Sequence, residues 1–278
     1  MSTKVVAPVA SQDPASVLLS AGSSRAANFR YFQYSSPILS LAGGAPGVSQ
    51  TVQVPFFPDS YFVVTRMFAV SSGVFTAVIQ NQSDGKYLHT PNTLVRNVNI
   101  FGTLQLPNRL VDPIVIPPSG NLILTLADIA NSGANTVQIV FEGYRMFDLA
   151  NPPYPKKLGR KSSYFGLVID QVLAANQGAT QITIRGDADG DFLVRKLVGV
   201  STGAFSARFS DGGTSDWWSD RAQRGENLFG TAQYPNLLPR PQIVPANGLL
   251  VVEVADLSGN QNTLQLFVEG AKIALPGQ

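Results

Sequence analysis

The ten residues Asn99–Asn108, N-I-F-G-T-L-Q-L-P-N, return as Asn227–Asn236, N-L-F-G-T-A-Q-Y-P-N. Seven of the ten positions are identical, and the echo is not isolated. Residues 61–77, Y-F-V-V-T-R-M-F-A-V-S-S-G-V-F-T-A, align with 191–207, D-F-L-V-R-K-L-V-G-V-S-T-G-A-F-S-A. Residues 135–143, N-T-V-Q-I-V-F-E-G, align with 262–270, N-T-L-Q-L-F-V-E-G. The pairs keep one order and nearly constant spacing, which marks an internal repeat. The chain is a tandem duplication, so whatever one copy folds into must also suit the other. We place the copies at residues 35–148 and 164–278. An N-terminal arm, 1–34, precedes them, and a linker, 149–163, joins them.

Within each copy the hydrophobic period is two. T-V-Q-V-P-F and its counterpart T-Q-I-T-I-R alternate, as do N-L-I-L-T-L-A and T-V-Q-I-V-F-E. Turn-forming clusters such as S-S-G, S-D-G-K, L-P-N-R and P-P-S-G-N separate the runs. Charged residues make up 14% of the chain, with 25 Gly and 19 Pro, a balance that suits short strands and tight turns. The pattern predicts an all-β chain of two tandem jelly-roll-like β-sandwiches with no substantial helix. An arm of this length, rich in Ala and Ser, spans on the order of 100 Å when extended and is expected to clasp a neighbouring subunit. The three prolines in D-L-A-N-P-P-Y-P-K-K exclude regular structure from the linker.

Composition excludes several kinds of chemistry. With no cysteine there is no disulfide framework, thiolate nucleophile or sulfur-held zinc. The net charge of +2 is too mild to argue for nucleic acid. No apolar run approaches a membrane span, and the first residues lack a secretory pattern. His89 is the only histidine and has no counterpart in the second copy. Glu142 and Glu269 are duplicated, but on equivalent strands of different copies, so a shared two-carboxylate active site is not expected. We read no catalytic set and no cofactor.

Each remaining candidate has a plain reading beside a sharper one. Phe101 and Phe229 are expected to plug a core at a strand end, and Gly102 and Gly230 to sit where a side chain would block the turn. The phrase they share is therefore read as a fold signature. Asp128 and Asp256 read as turn-closing acids. Asp187, Asp189 and Asp191 stand at alternate positions, a weak calcium candidate that departs from the EF-hand spacing; a polar turn is preferred. Trp217 and Trp218, found in the second copy alone, are read as subunit-interface candidates ahead of sugar stacking, together with Arg25 and Arg30 of the arm. Lys156, Lys157, Arg160 and Lys161 form the densest basic run; a solvated linker is preferred to a phosphate contact.

The motifs N-L/I-F-G-T-x-Q-x-P and N-T-L/V-Q-I/L-x-x-E-G resemble those of small β-domain proteins from bacteriophage structural gene regions. The resemblance covers both copies and omits the arm. It implies a virion component made in the host cytoplasm, a jelly-roll protein that decorates or cements a head or forms a collar. Its partners would be itself, with a trimer favoured, and other virion proteins such as the major capsid protein. No functional residues carry over, because these motifs define none. Two jelly rolls in one chain also match the architecture of major coat proteins of tailless, membrane-containing phages, where three chains build a pseudo-hexagonal capsomer. From another class, a tandem carbohydrate-binding β-sandwich is the alternative.

Overall fold

A computed structural model describes residues 29–275 apart from 43–48, 92, 104, 130–133, 155, 158–159, 213–215 and 220. Arg25 and the rest of residues 1–28 lie outside the described residues. The first copy contributes β1 (Phe29–Ser35), β2 (Leu39–Leu41), β3 (Ser49–Pro55), β4 (Tyr61–Ser71), β5 (Phe75–Asn81), β6 (Lys86–Tyr87), β7 (Val95–Arg96), a four-residue helix α1 (Asn97–Ile100), β8 (Asn108–Ile116), β9 (Asn121–Asp128) and β10 (Asn135–Met146). Then follow β11 (Lys156–Lys157), β12 (Arg160–Leu173), β13 (Thr180–Arg185), β14 (Gly190–Ser201), β15 (Phe205–Asp211), β16 (Asp216–Trp217), β17 (Gln223–Arg224), α2 (Gly225–Leu228), β18 (Asn236–Val244), β19 (Leu249–Asp256) and β20 (Asn262–Ala274). Among the described residues no helix is long and apolar enough to cross a membrane.

In the first copy one sheet runs β1-β10-β4-β8, with β2 also on β10, and the other runs β3-β9-β5-β6, with β7 also on β5. The second copy repeats this as β11-β12-β20-β14-β18 and β13-β19-β15-β16, with β17 on β15. The named strand pairs are antiparallel, and the first strand of each copy pairs with the last. That interleaving of early and late strands between two facing sheets is the double Greek key of a jelly roll. The chain is all-β, two such sandwiches in tandem.

Two boundaries differ from the sequence reading. Residues 29–34, assigned to the arm, belong to β1, which pairs with β10 from Phe29↔Met146 to Ser35↔Val140. The linker is not devoid of regular structure either. Lys156↔Lys161 and Lys157↔Arg160 pair, and β12 already begins at Arg160. The prolines at 152 and 153 stop short of this hairpin, so its backbone donors remain available.

A β-bulge is duplicated along with the sheets. Glu142 faces Arg66, but Gly143 faces Val64, which leaves Thr65 as the extra residue of β4. In the second copy Glu269 faces Lys196 and Gly270 faces Val194, with Arg195 extra. The bulge drives the two backbones together, so a Cβ on Gly143 would lie 1.9 Å from the Val63 carbonyl oxygen and one on Gly270 2.0 Å from that of Leu193. This explains the repeated Glu-Gly pair: the glycine permits the bulge, and the bulge aims the glutamate at a basic residue across the strand. Gly143→Ala or Gly270→Ala should each destabilise the fold by about 2 kcal/mol or more. Urea unfolding of the two variants checks this, and an unchanged midpoint would refute the close-approach argument.

Candidate assembly interface

Lys196 and Glu269 face each other at the second bulge, 2.8 Å apart, with both side chains wholly buried. Two charges taken out of water need close geometry and further polar partners. Those partners come from the other copy. Lys196 Nζ donates to Asn108 Oδ1 and, at 3.5 Å, to the Arg109 carbonyl, while the Val111 amide reaches Glu269 Oε1 at 3.5 Å. Strand β8 of the first copy thus lies over β12 and β20 of the second. Further bonds border this contact. Ser162 donates to Asp112 (2.9 Å), and Gln265 accepts from the Arg96 amide (2.7 Å) and from Asn99 Nδ2 (3.1 Å). The Gly166 backbone pairs with the segment around Leu88 and Thr90.

Apolar packing joins the two sandwiches as well. Tyr164, Val168, Val198 and Phe267 of the second copy share one buried cluster with the core of the first, while the second copy's own interior forms a separate cluster. Strand β20 is consequently covered on both faces from Leu264 to Ala271. The continuous apolar run L-V-I of β12 and the L-F-V of β20 were the sequence signal of a doubly covered sheet. The period-two alternation of the other strands gives no hint of it.

The repeated phrase combines scaffold and contact. Phe101 and Phe229 are buried, and their amides bond to Asn97 O and Gly225 O at 2.8 Å. Gly102 and Gly230 bridge in parallel to Phe68 and Val198, and a Cβ on either would strike the backbone at Leu106 O or Tyr234 O. The closing asparagines repeat one bond, Asn108 Nδ2 to Ile100 O and Asn236 Nδ2 to Leu228 O, both 2.8 Å. In the first copy, however, Asn99 and Asn108 also reach across to Gln265 and Lys196. Sequence reading took the phrase as fold signature alone and overlooked Asn99, Asn108, Asp112, Lys196, Gln265 and Glu269 as contact residues. Asparagine at an element end has a local explanation, which hides a second partner distant in sequence.

The other candidates are scattered. Lys272 pairs with both Asp187 and Asp189 (2.8 Å to the latter), and Lys86 of the first copy lies 3.4 Å from Asp189. Burial alone would raise the Asp189 carboxyl, but these two lysines bring it below its ordinary value. Asp191 turns instead to Arg160 (2.9 Å) and the Ala246 amide (3.1 Å). The three carboxylates do not converge, and among the described residues no group of three or more His, Asp or Glu side chains is arranged to hold a metal ion. Of the basic run, Arg160 is thus paired and Lys161 lies 4.3 Å over the Tyr154 ring. Trp218 stacks on Phe209 (5.1 Å), Trp217 lies under the Arg208 guanidinium (3.8 Å), and Arg30 is exposed on β1. Bonds from the Ser258 side chain and from the amides of Asn176, Ser258 and Gly259 hold the Asp256 carboxyl down to about 2, a turn-closing role. A cleft of about 610 Å³ opens beside the junction, lined by Lys86, His89, Tyr154, Lys161, Asp189 and Lys272 among others.

His89 sits at the junction itself, 1% exposed, bridged in parallel to Gly166 and set edge-on to Phe267. Burial lowers its pKa from 6.5 to about 4. Between these values the unfolded chain binds a proton that the folded chain refuses, so stability falls as pH drops through that window. Replacing His89 with Gln should flatten the pH dependence of the urea midpoint between pH 7 and 4.5 relative to wild type. Equal slopes would show that His89 is not the titrating group. For the buried pair, Lys196→Met leaves Glu269 uncompensated and should cost about 3–5 kcal/mol, most of it recovered in Lys196→Met/Glu269→Leu. The homologous Arg66–Glu142 pair is partly exposed, and Arg66→Met should cost about 1 kcal/mol or less.

No protein-family model matches the chain, and no curated protein matches it significantly. Among solved structures it is similar to the major capsid protein P2 of bacteriophage PM2, with 11% identity, 89% of this chain and 99% of that one covered, and a TM-score of 0.45. It is similar to PNGase F, a glycosylasparaginase from Flavobacterium meningosepticum, with 11% identity, 89% and 96% covered, and a TM-score of 0.39. It is also similar to a chain of the PBCV-1 virus capsid, with 9% identity, 89% and 95% covered, and a TM-score of 0.39.

Proposed function

We propose that the chain is a structural coat protein of a virion, a double jelly-roll subunit that works by contact with copies of itself, three chains to a closed oligomer. The observation that carries this reading is the junction. Two jelly rolls are locked side by side by a buried ion pair, a shared apolar cluster and a set of cross-copy hydrogen bonds. Such a subunit is a rigid tile rather than two beads on a tether. Its polar constellations support the same reading, since Arg208 pairs with Glu253, Lys272 with Asp187 and Asp189, and Arg160 with Asp191. These pairs hold strands and turns in place.

A decorating, cementing or collar subunit would share the fold and differ in number. Solution mass of the recombinant chain, together with its copy number in purified particles by quantitative mass spectrometry, separates the readings. The coat reading expects a trimer in solution and the chain among the most abundant particle proteins. A copy number matching a single ring would assign it to a collar. A strictly monomeric chain absent from particles would overturn the virion reading altogether.

A further inference from the structure

The duplication makes the junction a template. Each partner in the contact has a homologue in the other copy, fixed by strand register, and within one chain the homologous contact is never made. Tyr31 stands where Tyr164 stands, Arg66 where Lys196 stands and Glu142 where Glu269 stands. Under β8, Tyr164 is 5% exposed and its partners 0%. The first copy's set is more open: Tyr31 is 65% exposed and the Arg66 side chain 32%, and both reach the largely buried Glu142 at 3.3 and 2.9 Å. Gln33 and Ser35 of β1, facing water, replace the buried Gly166 and Val168.

The other half of the contact is equally uncovered. Strand β18 is the homologue of β8, yet Leu237 and Ile243 are 59% and 49% exposed. Asn236 keeps the bond that orients Asn108, and its Oδ1 accepts no hydrogen bond among the described residues. Asn227 is exposed where Asn99 is fully buried against Gln265, and Gln138, the homologue of Gln265, is only half-buried. Trp217 and Trp218 occupy the positions of Tyr87 and Leu88, the segment that meets Gly166 within the chain.

We propose that these two surfaces bind each other between chains. Strand β18 of one chain lies over the Tyr31–Arg66–Glu142 face of a second copy, with Asn236 accepting from Arg66, Asn227 meeting Gln138, and the tryptophan hairpin against Gln33. The contact is heterologous, so repeated head to tail it closes a ring when the rotation allows. The face is more polar than its buried homologue, as befits a surface that is wetted before association. This proposal rests on the coat reading and adds the surface through which it operates.

The absence of cysteine permits a direct test. In Asn227→Cys/Gln138→Cys, a short bis-maleimide should link chains into dimers and higher species on a denaturing gel, while either single variant gives no ladder. Asn99→Cys/Gln265→Cys, buried at the junction, should give no interchain ladder. Leu237→Asp/Ile243→Asp, on an exposed edge and so compatible with folding, should raise the dissociation constant of the oligomer at least tenfold. An oligomer that persists with no interchain crosslink and no response to the β18 variant overturns this surface and leaves the coat reading standing. Crosslinking that appears only after removal of residues 1–28 assigns the face to the chain's own N-terminal segment and overturns the proposal. A chain monomeric at every concentration overturns both.

Discussion

The ion pair of Lys196 and Glu269 is the constraint from which the rest of the arrangement follows. A lysine and a glutamate with no contact to water are tolerated only when opposite charge and hydrogen-bond partners surround them. The second copy supplies the opposition through its bulge, because register places the two residues directly across from each other. The first copy supplies Asn108, the Arg109 carbonyl and the Val111 amide. Remove β8 and the pair faces water with an apolar ring of Tyr164, Val168 and Phe267 around it. The junction is thus specified by the need to satisfy a buried charge as well as by apolar area.

How much of this was legible in the sequence depends on the range of each interaction. The alternation in T-Q-I-T-I-R and the turn clusters are local, and they gave strands, turns and the jelly-roll class. The repeat itself fixed that two equivalent sandwiches would form. Residues 29–34 share only Tyr-Phe with their counterpart in the other copy, S-S-Y-F-G-L, so the repeat carries no local mark of where β1 begins. The short hairpin at Lys156–Lys157 was hidden by the prolines preceding it. Trp217 and Trp218 drew notice as single-copy aromatics. Lys196 did not, and Glu269 did so only as a duplicated carboxylate, since a charge in an alternating strand reads as a wet position until a second sandwich is laid over it.

Comparison of homologous positions is more informative than either copy alone. Asn99 and Asn227 hold the same place in the same phrase and the same position in α1 and α2, yet one is buried and the other exposed. Identity between them records what folding demands; the difference in burial records what the first copy does beyond folding. The exchange of Lys196 for Arg66 follows the same division. A compact ammonium fits beneath Asn108 in a closed interior, whereas a guanidinium is weakly hydrated and its fork holds several acceptors, which suits a partly exposed face.

The shared apolar cluster has a consequence for biosynthesis. The first copy contains its own sandwich core, and its β8 edge is complete before the second copy has been made. The second copy's Tyr164, Val168, Val198 and Phe267 are buried together with the first copy's core, with His89 and Thr90 as well as β8 lying against them. Because translation delivers the N-terminal half first, a finished surface is waiting when the sticky sheet emerges from the ribosome. The order of the two copies along the gene product therefore acts as a built-in chaperone, and reversing it would expose that sheet during the most aggregation-prone interval of the chain's life.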